Sequence, residues 1–165
     1  GVPLKEQPRL IEIGKAEVIR NFTNNGGLKV ALFPLGNMMA LGRQVATQLS
    51  AEGYDVAIIN PRFIKPLDAA VTRFFGEAAD ALVSMEDGIL QGGYGSAILE
   101  LFSEQRISTP VIRIGWPDQF IEHASTTEDL RTKYGLTVEG TVARVRAEFA
   151  RASVQGHSAI AQLRQ

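Results

Sequence analysis

Two adjacent acids, Glu86 and Asp87, stand where a short apolar run ends, and Gly88, Gly92, Gly93 and Gly95 follow within a few residues. Carboxylates at a strand end are placed for acid–base work, or for holding N–H groups and cations. A glycine-rich turn that opens a helix presents free N–H groups and the positive end of the helix dipole, the chemistry of an anion site. Neither phosphate fingerprint is met, however. No G-x-G-x-x-G follows the first strand, and no G-K-[ST] is present. Glycine at this turn serves equally well for positive φ and close helix–strand contact. Adjacent strand residues point to opposite faces, so Glu86 and Asp87 are a poor pair for acid–base work on one substrate. Capping the N–H groups of the glycine turn, pairing with Arg or Lys, or facing a partner domain are the other roles open to them.

Further candidates lie on loops, where function concentrates. Arg62 and Lys65, in Asn60-Pro-Arg-Phe-Ile-Lys-Pro-Leu-Asp68, follow an apolar strand and could bind an anion or pair with acids such as Glu86. His123 sits in Pro117-Asp-Gln-Phe-Ile-Glu-His123, between a strand and a helix, where a bond to a backbone carbonyl is its plainer role. His157 falls in the C-terminal tail, solvated. Two histidines so placed, with no carboxylate cluster, do not make a metal site. No G-x-S-x-G elbow supports a serine triad.

The elements that must position these groups follow from periodicity. Lys15–Arg20 alternates polar and apolar, Thr23–Gly27 is a turn signal, and Lys29–Leu35 is a buried run, which together predict an antiparallel hairpin. Asn37–Glu52 has helical spacing, with Gly53 as its stop. Val56–Ile59 reads as a buried strand. Pro66 and Asp68 open a helix with Val71, Phe74 and Phe75 inward. Ala81–Met85 is a strand stopping at the two acids, and the glycine turn starts the next helix. Val111–Ile114 is a strand interrupted by Arg113. Ser125-Thr-Thr-Glu128 has the capping-box form. Val138, Val142, Val145, Phe149 and Ala152 line one face of a last helix. Strands alternating with helices predict a three-layer α/β/α sandwich on a mixed sheet of about five strands, the first antiparallel.

Composition narrows the class. A chain of 165 residues, 45% hydrophobic and 21% charged, fits one globular domain. A net charge of −1 points to neither nucleic acid nor an anionic membrane as partner. With no cysteine there is no disulfide frame, thiolate metal site or cysteine nucleophile, which suits a cytosolic setting. No apolar run is long enough to span a bilayer. Residues 1–10 read as a linker from a missing upstream domain, 11–152 as the domain, and 153–165 as a frayed tail.

Four segments in order and spacing carry a resemblance: Glu12–Arg20, Asn60–Asp68, Glu86–Ser96 and Pro117–His123. Together they resemble the C-terminal (third) domain of the 1-deoxy-D-xylulose-5-phosphate synthases, which are transketolase-like thiamine diphosphate enzymes. The β subunits of the 2-oxoacid dehydrogenases share the domain but resemble these segments less. The resemblance implies a parent that condenses pyruvate with glyceraldehyde 3-phosphate, with loss of carbon dioxide, in non-mevalonate isoprenoid synthesis. It implies thiamine diphosphate and magnesium in the parent and no cofactor in this fragment, because the cofactor motifs belong to the preceding domains. It further implies a homodimeric parent in the bacterial cytoplasm or a plant plastid. No catalytic residue carries over. Arg62, Lys65, Glu86, Asp87, Gly92, Gly93, Gly95 and His123 are then residues of a domain interface or of a regulatory phosphate-metabolite site. Trp116, where the family has a smaller apolar residue, is expected to be exposed once the partner domains are missing.

Overall fold

A computed structural model describes residues 10–123 and 125–162, with side chains through Arg151. The elements are β1 (Glu17–Arg20), β2 (Lys29–Pro34), a 3-10 turn (Gly36–Met38), α1 (Met39–Ala51), β3 (Asp55–Asn60), α2 (Ala69–Ala78), β4 (Ala81–Ile89), α3 (Tyr94–Gln105), β5 (Val111–Trp116), α4 (Thr127–Tyr134) and α5 (Val138–Gln162). The expected linker, apart from Leu10, lies outside the described residues, as do the side chains of the expected tail, His157 included.

The five strands form one sheet in the order β1-β3-β2-β4-β5. β2 pairs parallel with β3 and β4, and β4 parallel with β5. β2 and β3 are almost continuously buried because helices cover both faces, as parallel strands require. On one face Val30, Leu32, Val83 and Met85 pack against Val45 and Leu49 of α1 and Val142 and Val145 of α5. On the other, Ala31, Phe33, Ile59 and Leu82 pack against Phe75 of α2 and Ile98 and Phe102 of α3. Each large side chain buried this way contributes about 1.5–3 kcal/mol of transfer free energy. This is the three-layer sandwich expected.

Three local expectations are corrected. β1 and β2 do not form a hairpin: β1 pairs antiparallel with β3, which lies between them. Asp55, opening β3, accepts the N–H groups of Thr23 and Asn24 at 2.8 and 2.7 Å, so the turn is anchored over β3 instead of joining neighbours. On α2 the inner face is Thr72, Phe75 and Gly76, while Phe74 is 57% exposed. One residue is 100° of helix, so with Phe75 facing the sheet its neighbour is carried round toward water. The capping box begins at Thr126 with Asp129, one residue later than Ser125 with Glu128.

The open edge of β5 is partly covered. Nη1 of Arg144, on α5, donates to the carbonyl of Arg113 at 3.0 Å. Among the described residues no helix is long and apolar enough to cross a membrane.

Candidate functional site

The chain leaves β2 first toward β3 on one side and then returns to β4 on the other. Helices therefore diverge to opposite faces there, and the carboxyl ends of β2 and β4 bound a crevice, the usual ligand position in open α/β sheets. A shallow cavity of about 370 Å³ lies there, lined by Leu35, Gly36 and Asn37 after β2, Glu86, Asp87 and Gly88 of β4, and Ile64 of the loop after β3.

β4 does not stop at the two acids but runs on to Ile89. Its register with β5 shifts between Met85 and Ile89, so the irregularity falls on Glu86–Gly88, as bulges near sites commonly do. The strand continues because its backbone pairs again with β5 at Ile89 and Trp116, and the two carboxylates find donors on opposite faces. Glu86 is 4% exposed, and its oxygens accept the N–H groups of Tyr94 at 2.7 Å and Gly95 at 2.9 Å. It therefore caps α3 from the sheet, a role α3 needs because its N-cap, Gly93, has no side chain. The glycines make room for this. A Cβ at Gly93 would lie 2.3 Å from Oε2 of Glu86, and one at Gly95 would lie 2.6 Å from Oγ of Ser84. Gly92, at φ 70°, takes the left-handed turn.

Asp87 reaches the other face. It accepts from Nδ2 of Asn37, from Nε1 of Trp116 at 2.8 Å and from the Arg131 guanidinium at 2.8 Å. Burial pushes its carboxyl up, but the bonds from Asn37 and Trp116 and the Arg131 charge outweigh this and hold it below the usual range. Trp116, expected to be exposed, is instead partly buried, since its N–H is held by Asp87 and its ring meets Tyr134 edge-on at 5.8 Å.

The other predicted residues do not converge on the glycine turn. Arg62 pairs with Glu17 of β1 at 2.7 Å, not with Glu86. Lys65 is exposed and makes no ion pair among the described residues. His123 is exposed and makes no hydrogen bond to another described residue. Its loop is tied to α4 through Glu122, which accepts from Lys133 and from the Tyr134 hydroxyl. The hydrogen bond from Lys133 comes first in bringing the Glu122 carboxyl to about 2.

Sequence reasoning missed Asn37 and Arg131, which carried no local signal. It noted Arg113 only as a break in an apolar run, and that break was the signal. Nη1 of Arg113 bonds the Leu90 carbonyl at 3.0 Å and Oγ of Ser96 at 3.2 Å, buttressing the glycine turn.

Thiamine diphosphate with magnesium does not fit this donor set. Glu86 and Asp87 face apart and are already engaged. Among the described residues no three His, Cys, Asp or Glu gather as metal ligands.

With the geometry in place, a family model described as the C-terminal domain of transketolase matches residues 14–140. The chain belongs to the transketolase C-terminal domain family. Its similarity to a 1-deoxy-D-xylulose-5-phosphate synthase of Methylacidiphilum infernorum is 48% identity over 142 residues, covering 86% of this chain and 22% of that protein. The synthase of Acidobacterium capsulatum is 39% identical over 145 residues, with 88% and 22% covered. The resemblance read from the four segments is thus borne out, and the chain spans about a fifth of the length of these relatives. Among solved structures, a split-gene transketolase described as an inactive β4 tetramer matches with a TM-score of 0.75 and 33% identity, covering 89% of this chain and 46% of that one. The five-stranded sheet with β1 antiparallel is therefore this family's domain, and Glu86–Ser96 is its strand–turn–helix junction.

Proposed function

We propose that the chain, with its domain proper over residues 11–152, is the C-terminal domain of a 1-deoxy-D-xylulose-5-phosphate synthase and serves assembly, without turnover of its own. The observation that carries this reading is the 48% identity to one such synthase across 86% of the chain, at only 22% of that protein's length. The parent would condense pyruvate with glyceraldehyde 3-phosphate and release carbon dioxide. It would hold thiamine diphosphate and magnesium in other domains, as a cytoplasmic homodimer. Glu86 and Asp87 support a chain without turnover of its own, because their oxygens are engaged in holding α3, β5 and α4 together within the domain. The related β4 tetramer, described as inactive, points the same way. The regulatory phosphate reading has less support, because Arg62 is held by Glu17 and the anion-binding end of α3 is filled by Glu86.

The test is isothermal calorimetry of this chain with thiamine diphosphate and magnesium, beside a carbon dioxide release assay with both substrates. Neither binding nor turnover is expected from the chain alone. Micromolar cofactor binding or measurable release would overturn the assembly reading.

A further inference from the structure

α4 is a helix of eight residues, none of them buried. Core packing therefore does not hold it down, and its ties to the rest of the domain are polar or ring-edge contacts. Nη2 of Arg131 meets Asp87 of β4 at 2.8 Å. The Tyr134 hydroxyl joins Gln119 and Glu122 on the preceding loop, and its ring meets Trp116 of β5 edge-on at 5.8 Å. A cavity of about 580 Å³ separates α4 from α1, with Leu41 and Gln44 on one wall and Thr127, Arg131 and Thr132 on another. Nε of Arg131 is buried with no acceptor among the described residues, so the seated position leaves a donor unpaired. The helix also closes its own ends. Thr126 and Asp129 form the capping box at its start. At its finish the Leu136 N–H bonds the Arg131 carbonyl at 2.8 Å, with Gly135 left-handed at φ 73°. Lifting α4 therefore breaks none of its end bonds. Gly135 is the joint between it and Leu136, which is held in the core.

We infer that α4 is a lid that opens as a unit about Gly135, with the Arg131–Asp87 pair as its latch. Opening parts α4 from α1 and uncovers Trp116, the only tryptophan of the chain. The latch is set from the crevice at the carboxyl ends of β2 and β4, because Asp87 lines that crevice while Arg131 lines the cavity under the lid. Asn37 lines both and bonds the same carboxylate. The two hollows on this side of the sheet are thus joined through one carboxylate, and the element that this carboxylate holds has no packed core of its own to oppose release.

The test is amide hydrogen exchange of this chain, with acrylamide quenching of Trp116 fluorescence as a second readout. In the wild type, amides of Thr127–Tyr134 are expected to exchange faster than those of β2 and β4, since the lid opens without the sheet. Arg131→Gln should speed the α4 amides by about fivefold, the size expected of a partly exposed ion pair, and leave the sheet amides unchanged. Quenching of Trp116 should rise in the same variant. Asp87→Asn should speed α4 as well, and the double variant should go no further than the larger single effect, because both remove one latch. Glu128→Gln is the control. It changes a charge on the same helix, but the Glu128 side chain makes no hydrogen bond or ion pair among the described residues, so the α4 rates should stay as they are. Wild-type α4 amides that exchange only together with β2 and β4 overturn the lid. Arg131→Gln without effect on α4, or with equal acceleration across the sheet, overturns the latch. So does a Glu128→Gln variant that matches Arg131→Gln.

Discussion

A methyl group added to Gly93 would stand 2.3 Å from Oε2 of Glu86, and 2.4 Å from the carbonyl of Ile89. Glycine is required here for space and not for backbone conformation, since Gly93 is extended at φ −81°. Gly93→Ala must push away either the carboxylate that caps α3 or the backbone of β4. Overpacking of this kind costs about 1–3 kcal/mol. Urea unfolding is expected to show a loss of about 2 kcal/mol, and a loss below about 0.5 kcal/mol would contradict the steric account.

Glu86 itself gives a graded series. Glu86→Gln keeps one acceptor oxygen but turns an NH₂ group toward a buried N–H, at a cost of about 1–3 kcal/mol. Glu86→Ala leaves the N–H groups of both Tyr94 and Gly95 unpaired and adds a cavity, so its loss must be the larger. Differential scanning calorimetry should rank wild type above Gln and Gln above Ala. The reverse order of the two variants would refute the capping role.

Asp87 makes stability depend on pH. Its folded value is depressed, so its contribution is complete above the unfolded value of about 3.9 and is lost as pH falls through the folded value. Asp87→Asn removes that contribution. The difference in unfolding free energy between wild type and Asp87→Asn should therefore be constant near neutrality and shrink below about pH 4. A difference that stays flat down to about pH 2 would mean that Asp87 gains nothing from Arg131 and Trp116.

The cap of α4 tests how independently that helix is held. Thr126 accepts the Asp129 N–H at 3.1 Å, and α4 buries no residue. Thr126→Ala should cost about 1 kcal/mol locally. Hydrogen exchange is expected to speed up within Thr127–Tyr134 while the β2 and β4 amides keep their rates. Acceleration spread equally over the sheet would show that α4 unfolds only with the whole domain.

Much of the frame was legible because β2 and β3 are unbroken apolar runs and α1 and α5 repeat their apolar residues at helical spacing. The cap by Glu86 was legible for a local reason: the acid lies eight and nine residues before the N–H groups it accepts, across one turn. What escaped was nonlocal. The partner of β1 is β3, some forty positions on, and a turn signal at Thr23–Gly27 says nothing of a strand inserted later. The donors to Asp87 come from the turn before α1, from β5 and from α4, so no spacing connects them. Phe74 and Phe75 are equally apolar, and only the angle between successive helical residues separates the buried ring from the exposed one.

The bond from Arg144 to the Arg113 carbonyl bears on how the chain behaves at high concentration. β5 is a terminal strand, and an unguarded edge of free carbonyls and N–H groups is a template on which another molecule's strand can add. A guanidinium seated on that edge brings a charge that a second copy carries too, so two β5 edges approaching each other meet like charges before they meet backbone. The same side chain that helps fasten α5 to the sheet therefore also guards the chain against self-templating.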